Sequence, residues 1–174
     1  LFSLKLISLL PLRVLRALGT VLGYCNWVLN TRAKRTTLTN LAICFPELDE
    51  TQKNALAKQS LCETMKTLLE AGKLWHKEWA WVESTIEGVN NEQLLTEKLS
   101  KGKGLMVITL HMGNWEVVGP YIASKFPLTA LYQPLKSPAL DRLVLTAREA
   151  KNIQMASGSA QGIKKLLQAL KRQQ

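Results

Sequence analysis

Hydrophobic and polar positions divide the chain into helical and extended stretches. Residues 1–31 are strongly apolar, but Lys5, Arg13 and Arg16 interrupt them and Pro11 stands in the middle. The charge-free part, residues 17–31, is shorter than the roughly 20 residues of a comfortable bilayer span. Basic residues inside the apolar region also argue against a secretory signal. The pattern predicts an interfacial amphipathic helix or a short tilted anchor, with Tyr24 and Trp27 at headgroup depth. The alternative is a helix buried by the rest of the protein. Residues 36–45 alternate short polar and apolar positions up to Pro46. Asp49, followed by Glu50, is a good helix N-cap. Leu61, Met65, Leu68, Leu69, Gly72 and Trp75 then recur at three- and four-residue spacings, so a helix is predicted as far as Trp75. Leu74, Trp75, Trp79 and Trp81 form an aromatic-rich corner, either core or the rim of a lipid-accessible groove. His76, at the helix end beside Lys77, reads as a capping or surface histidine.

Residues 82–89 read as a strand, after which Asn91 caps a predicted helix over 92–100 that stops at Gly102. Residues 105–110 are almost unbroken apolar sequence, interrupted only by strand-prone Thr109 and bounded by Gly104 and Gly113. This run predicts a buried strand of a parallel sheet. A turn at Met112 and Gly113 leads to a helix over 114–124 and a third strand over 126–131. A loop over 132–138 carries Pro134 and Pro138. A helix over 139–151, a brief strand over 153–156 and a last helix over 160–172 complete the chain. The alternation predicts an α/β fold, a mostly parallel central sheet flanked by helices, preceded by a membrane-associated helix. The expected domains are 1–31 for that helix and 32–174 for the α/β part. A βα unit that ends on its helix normally returns to the sheet, so the fold is expected to continue past residue 174.

Charge adds a partner to this picture. Lys+Arg 23 against Asp+Glu 13 gives a net charge of +10, which suits an anionic surface or phosphorylated substrate. Arg32, Lys34 and Arg35 follow the apolar segment directly, as expected at the anionic cytoplasmic face of a membrane. A nucleic-acid partner is not expected, because the basic residues are scattered and no recognition motif is present. Cys25, Cys44 and Cys62 are odd in number and far apart, so neither a disulfide framework nor a zinc site is indicated.

The chemistry concentrates where the apolar run ends. His111 stands at that point and Glu116 follows in the first turn of the next predicted helix. On a continuous helix five positions turn about 500°, which would keep the two side chains apart. A turn at Met112 and Gly113 folds them together instead, since Gly113 tolerates the needed backbone geometry. Histidine exchanges protons near neutral pH, and a carboxylate on its Nδ1 fixes the tautomer and stabilises the imidazolium. The bland alternative is a histidine hydrogen-bonded in the core and a glutamate solvated on its helix. His111, Glu116 and distant His76 make a poor ligand set, so no metal is expected.

The segment His111-Met112-Gly113-Asn114-Trp115-Glu116 resembles the His-x4-Asp/Glu box of glycerolipid-type acyltransferases. With Glu and an internal Gly-Asn-Trp it is most similar to the bacterial lipid A secondary acyltransferases, the lauroyl/myristoyl family. Arg35 followed by Asn40-Leu41-Ala42-Ile43-Cys44-Phe45-Pro46-Glu47 resembles that family's Arg…Asn-Leu-x-x-Cys-Phe-Pro-Glu segment. Gly102-Lys103-Gly104 and the ordered Tyr132, Pro134, Asp141 and Arg148 also fit. Gln133 departs from the pattern, which usually has a basic residue there, and the family's Pro-Asp-Gln-like segment has no counterpart in this chain. The resemblance implies a glycerolipid acyltransferase-like fold at the cytoplasmic face of the inner membrane. It implies acyl transfer from acyl-acyl carrier protein to a hydroxyl of a lipid A precursor. His111 would be general base and Glu116 its orienting carboxylate. Arg35, Lys136, Arg148 and Asn114 are candidate substrate contacts. No cofactor is implied, because a thioester is already activated. Another glycolipid or lysophospholipid acceptor, or a non-catalytic basic membrane-binding module, are the alternatives.

Overall fold

A computed structural model describes residues 2–172; Leu1, Gln173 and Gln174, at the outer ends of the two expected domains, lie outside the described residues. The chain forms two compact units, one over Phe2–Lys73 and one beginning at Leu74.

The first unit is helical. It contains α1 (Phe2–Leu9), α2 (Leu12–Val28), α3 (Arg32–Cys44) and most of α4 (Glu50–His76). Pro11 precedes α2, where a missing N–H costs nothing because first-turn amides have no intrahelical partner. Asn30, at φ 47°, turns the chain into α3. The predicted cap at Asp49 is present as a reciprocal pair. Asp49 Oδ1 accepts from the Gln52 amide at 2.8 Å, and Gln52 Oε1 accepts from the Asp49 amide at 2.9 Å. Replacing Asp49 by Ala is expected to lower stability by about 1 kcal/mol. A urea midpoint unchanged in that variant would contradict the role of the cap.

The predicted α4 stripe is partly realised: Leu61 is buried, whereas Leu68 is 50% exposed. Against this helix α2 lays Leu15, Gly19 and Gly23. Lys73 is buried, and its ammonium donates to the carbonyls of Ser8 and Leu10, which closes the C-terminal end of α1. Arg16 pairs with Glu70 at 2.6 Å. The opposite face of α2 points outward, with Val14, Leu18, Val21, Leu22 and Val28 exposed. Among the described residues no helix is long and apolar enough to cross a membrane.

The second unit holds α5 (Trp79–Glu83), α6 (Gln93–Leu99), a 3-10 turn (Trp115–Val117) and α7 (Val118–Ala123). Then come β1 (Leu128–Tyr132), α8 (Pro138–Glu149), β2 (Ile153–Ser157) and α9 (Ala160–Lys171). The strands are parallel, in register from Leu128 opposite Ile153 to Tyr132 opposite Ser157. The crossover between them is α8, as parallel pairing requires. Ser137 caps α8 with Pro138 at its first position, and Ser159 caps α9. Val82, Val144, Ala147, Ile153, Ala156 and Ala169 form the core.

Two predicted strands are corrected here. Val82 and Glu83 end the single turn of α5, and residues 84–89 are irregular. Residues 105–110 are extended but belong to no sheet, and Met106, Ile108 and Leu110 are 63, 85 and 71% exposed. The mostly parallel central sheet is therefore, among the described residues, a two-stranded parallel one in a helix-rich fold. The reason is common to both segments. Apolar sequence states that a strand would gain from burial, but a strand exists only through its ladder, and among the described residues neither segment has a neighbour to pair with.

Candidate active site

The site is built on the stretch after the extended run. Gly113 adopts φ 57°, a left-handed conformation that glycine takes without a Cβ penalty. That turn feeds the 3-10 turn at Trp115, and the two aromatic and acidic neighbours there face different surroundings.

Trp115 faces an apolar hollow of about 680 Å³. Residues 105–109, Leu99, Ile122, Leu131 and Leu166 contribute to its walls. His111 is exposed, and its ring packs on Trp115 with centroids 4.9 Å apart and planes tilted by 54°.

Glu116 faces the packed interior, its side chain only 8% exposed. Its Oε1 accepts from Arg148 Nη2 at 2.6 Å. Its Oε2 accepts from Trp75 Nε1 at 3.1 Å and, more weakly, from Arg148 Nε at 3.4 Å. Trp75 comes from the last turn of α4 and Arg148 from the last turn of α8. Lys151 joins these two elements: its Nζ donates to the carbonyls of Leu74 at 3.1 Å and Ala147 at 3.2 Å. Burial pushes the Lys151 ammonium below the usual lysine range, and the nearby Glu116 charge offsets part of that push.

Glu116 and Arg148 are thus brought together, a pairing that the sequence did not announce. No hydrogen bond joins His111 to Glu116 among the described residues, and the two lie on either side of Trp115 in the chain. Asn114, partly buried, opens the 3-10 turn. Lys136 is exposed on the loop after β1, a loop tied to α8 by the Leu135 amide, which donates to Asp141 Oδ1 at 2.8 Å. Arg35 belongs to the first unit, on α3, where its guanidinium donates to the Asn30 carbonyl at 3.0 Å. No three His, Cys, Asp or Glu side chains converge as a metal site among the described residues.

Two residues of this cluster, Trp75 and Lys151, were not singled out for function from sequence. The sequence pattern places Trp75 in the core or at a groove rim. The signal is partial: a buried indole N–H seeks an acceptor, but the fold decides which acid supplies it.

Comparison with known proteins gives a family match over residues 1–174, to the model described as bacterial lipid A biosynthesis acyltransferase. A lipid A biosynthesis acyltransferase of Haemophilus influenzae is 26% identical over 149 residues, 84% of this chain and 47% of its own length. The lipid A biosynthesis lauroyltransferase of Escherichia coli is 24% identical over 169 residues, 97% of this chain and 54% of its own. The palmitoleoyltransferase of the same organism is 24% identical over 149 residues, 82% and 46% respectively. The chain spans about half the length of these curated relatives.

Proposed function

Because the chain belongs to the bacterial lipid A biosynthesis acyltransferase family, we propose that it forms part of an enzyme moving a fatty acyl chain onto a lipid A precursor. The donor is acyl-acyl carrier protein and the acceptor a hydroxyl of that precursor. The observation that carries the reading is Trp115. Its ring stands in the wall of an apolar hollow, touches the candidate base His111, and directly precedes the anchored carboxylate of Glu116.

The chemistry follows from these parts. The acyl tail lies in the apolar hollow, removed from water. His111 takes the proton of the acceptor hydroxyl as its oxygen attacks the thioester carbonyl carbon. The tetrahedral oxyanion collapses, the C–S bond breaks, and the imidazolium returns its proton to the leaving thiolate. Glu116 orients and charges the imidazole. An ionised carboxylate offers about four acceptor sites, and the donors from Trp75 and Arg148 occupy three. One remains, and this reading assigns it to the His111 Nδ1–H. Asn114, Lys136, Arg148 and Arg35 are the candidate contacts for acceptor phosphate or carrier protein. Mass spectrometry of lipid A from cells with and without the intact gene tests the reading. One acyl chain should be missing without it, and identical profiles would reject it.

In the same reading residues 1–31 hold the protein at the cytoplasmic face of the inner membrane, and residues 32–174 contribute to the acyltransferase domain. The outward face of α2 supports this, together with cations close to its aromatic rings. Lys58 Nζ lies 4.7 Å from the Tyr24 ring centre and Lys34 Nζ 3.9 Å from that of Trp27. Leu18→Asp combined with Val21→Asp is expected to weaken binding of the full-length protein to anionic phosphatidylglycerol vesicles at least about tenfold. Unchanged co-sedimentation would remove α2 from the membrane contact.

A further inference from the structure

The geometry points to Trp75 as a positioning residue for Glu116: its indole N–H holds one oxygen of the carboxylate that the proposed reaction needs fixed and ionised. This inference rests on the functional reading above, and it adds a residue from the end of α4, far from the His-x4-Glu box in sequence.

Three observations support it. First, the contact is specific, 3.1 Å from Nε1 to Oε2, onto a carboxylate that is 8% exposed. An indole N–H donates and never accepts, so it fixes the carboxylate without competing for its own proton. Second, the two donors approach different oxygens at their shortest distances, Arg148 on Oε1 and Trp75 on Oε2. Arg148 holds Oε1 at 2.6 Å but reaches Oε2 only through its longer 3.4 Å contact, so Oε2 is the more loosely held oxygen without Trp75. Trp75 supplies the shorter of the two donors to that oxygen. Third, Trp75 is itself held in place. Lys151 donates to the carbonyl of neighbouring Leu74 and to that of Ala147, one residue before Arg148. The ammonium thus ties together the ends of the two helices that supply both donors. Leu74, Val82, Pro120 and Ala147 complete a tight cleft around the pair.

Two substitutions of Trp75 in the full-length protein separate this role from packing. Trp75→Phe removes the donor and keeps an aromatic ring. Incorporation at position 75 of the indole analogue with sulfur in place of N–H keeps the full shape as well. With acyl-acyl carrier protein and lipid A precursor as substrates, each is expected to lower kcat about tenfold, the scale of one hydrogen bond to a charged group. KM for both substrates should stay within about twofold, and the melting midpoint of the sulfur analogue should stay near that of the unmodified protein. A full kcat in the sulfur analogue, or a loss confined to KM, would overturn the assignment. A second measurement does not depend on turnover. In 15N-tryptophan-labelled protein, the Trp75 indole resonance should move when Glu116→Gln removes the charge, and an unmoved resonance would also overturn it. If the unmodified protein turns over no lipid A precursor while that resonance still responds, the functional reading fails, and the positioning role in that reaction fails with it, although the contact stands.

Discussion

Replacing His111 by Ala in the full-length protein is expected to lower kcat/KM for acyl transfer by about 10²–10⁴-fold, the range of a lost general base. The melting midpoint should hardly change. His111 is exposed and packs its ring on Trp115, so its removal opens no cavity and leaves no buried group unsatisfied. This makes His111 a cleaner probe than Glu116. The carboxylate of Glu116 is buried against the Arg148 guanidinium, and truncating it would strip a partly buried cation of its partner. Loss of activity in a Glu116 variant would therefore mix chemistry with folding, whereas loss in His111→Ala reads chemistry alone. The assay is transfer of labelled acyl groups from acyl-acyl carrier protein to lipid A precursor. Near-normal rates in His111→Ala would end its role as the base.

How much of this was legible from sequence depends on which force each element obeys. Elements specified by local chemistry were readable. The start of α4 follows from the Asp49 and Gln52 side chains, and α8, β2 and α9 lie close to their predicted spans because Ser137, Ser159 and the intervening turns punctuate them. Elements specified by a partner were not. Residues 105–110 and 84–89 carry strand-like composition, yet pairing depends on a neighbour that no local pattern names. The candidate site divides in the same way. His111 and Glu116 are visible as a spaced pair of reactive types. The donors that hold Glu116 come from residues 41 positions before it and 32 after it, so only the fold brings them to it. Resemblance singles out Arg148 in the sequence but not its pairing with Glu116.

The close crossing of α2 and α4 likewise depends on a partner, although Gly19 and Gly23 share one helix face at a four-residue spacing. A Cβ on Gly23 would stand 2.4 Å from Cys62 Cα, and one on Gly19 would stand 2.7 Å from Lys66 Cα. Both obstacles are backbone, so no side-chain rotation relieves them. The Cys62 thiol also donates to the Thr20 carbonyl at 3.6 Å across the same contact. In an exposed helix Gly→Ala stabilises by about 1 kcal/mol, since alanine loses less backbone entropy. Here steric overlap opposes that gain and should exceed it, because overpacking costs about 1–3 kcal/mol or more and this contact is tighter than ordinary overpacking. Gly23→Ala is thus expected to lower the urea midpoint, and Gly23→Val to lower it further. Gly88 supplies the control. Nothing lies within 4 Å of its would-be Cβ, so Gly88→Ala should be neutral or slightly stabilising. A midpoint that rises in Gly23→Ala would mean that propensity outweighs contact and that α2 does not seat on α4 at this distance. A midpoint that falls would tie the seating of α2 to two glycines. The direction of its outward apolar face would then depend on them, because seating that side on α4 turns Leu18, Val21 and Val28 away from it.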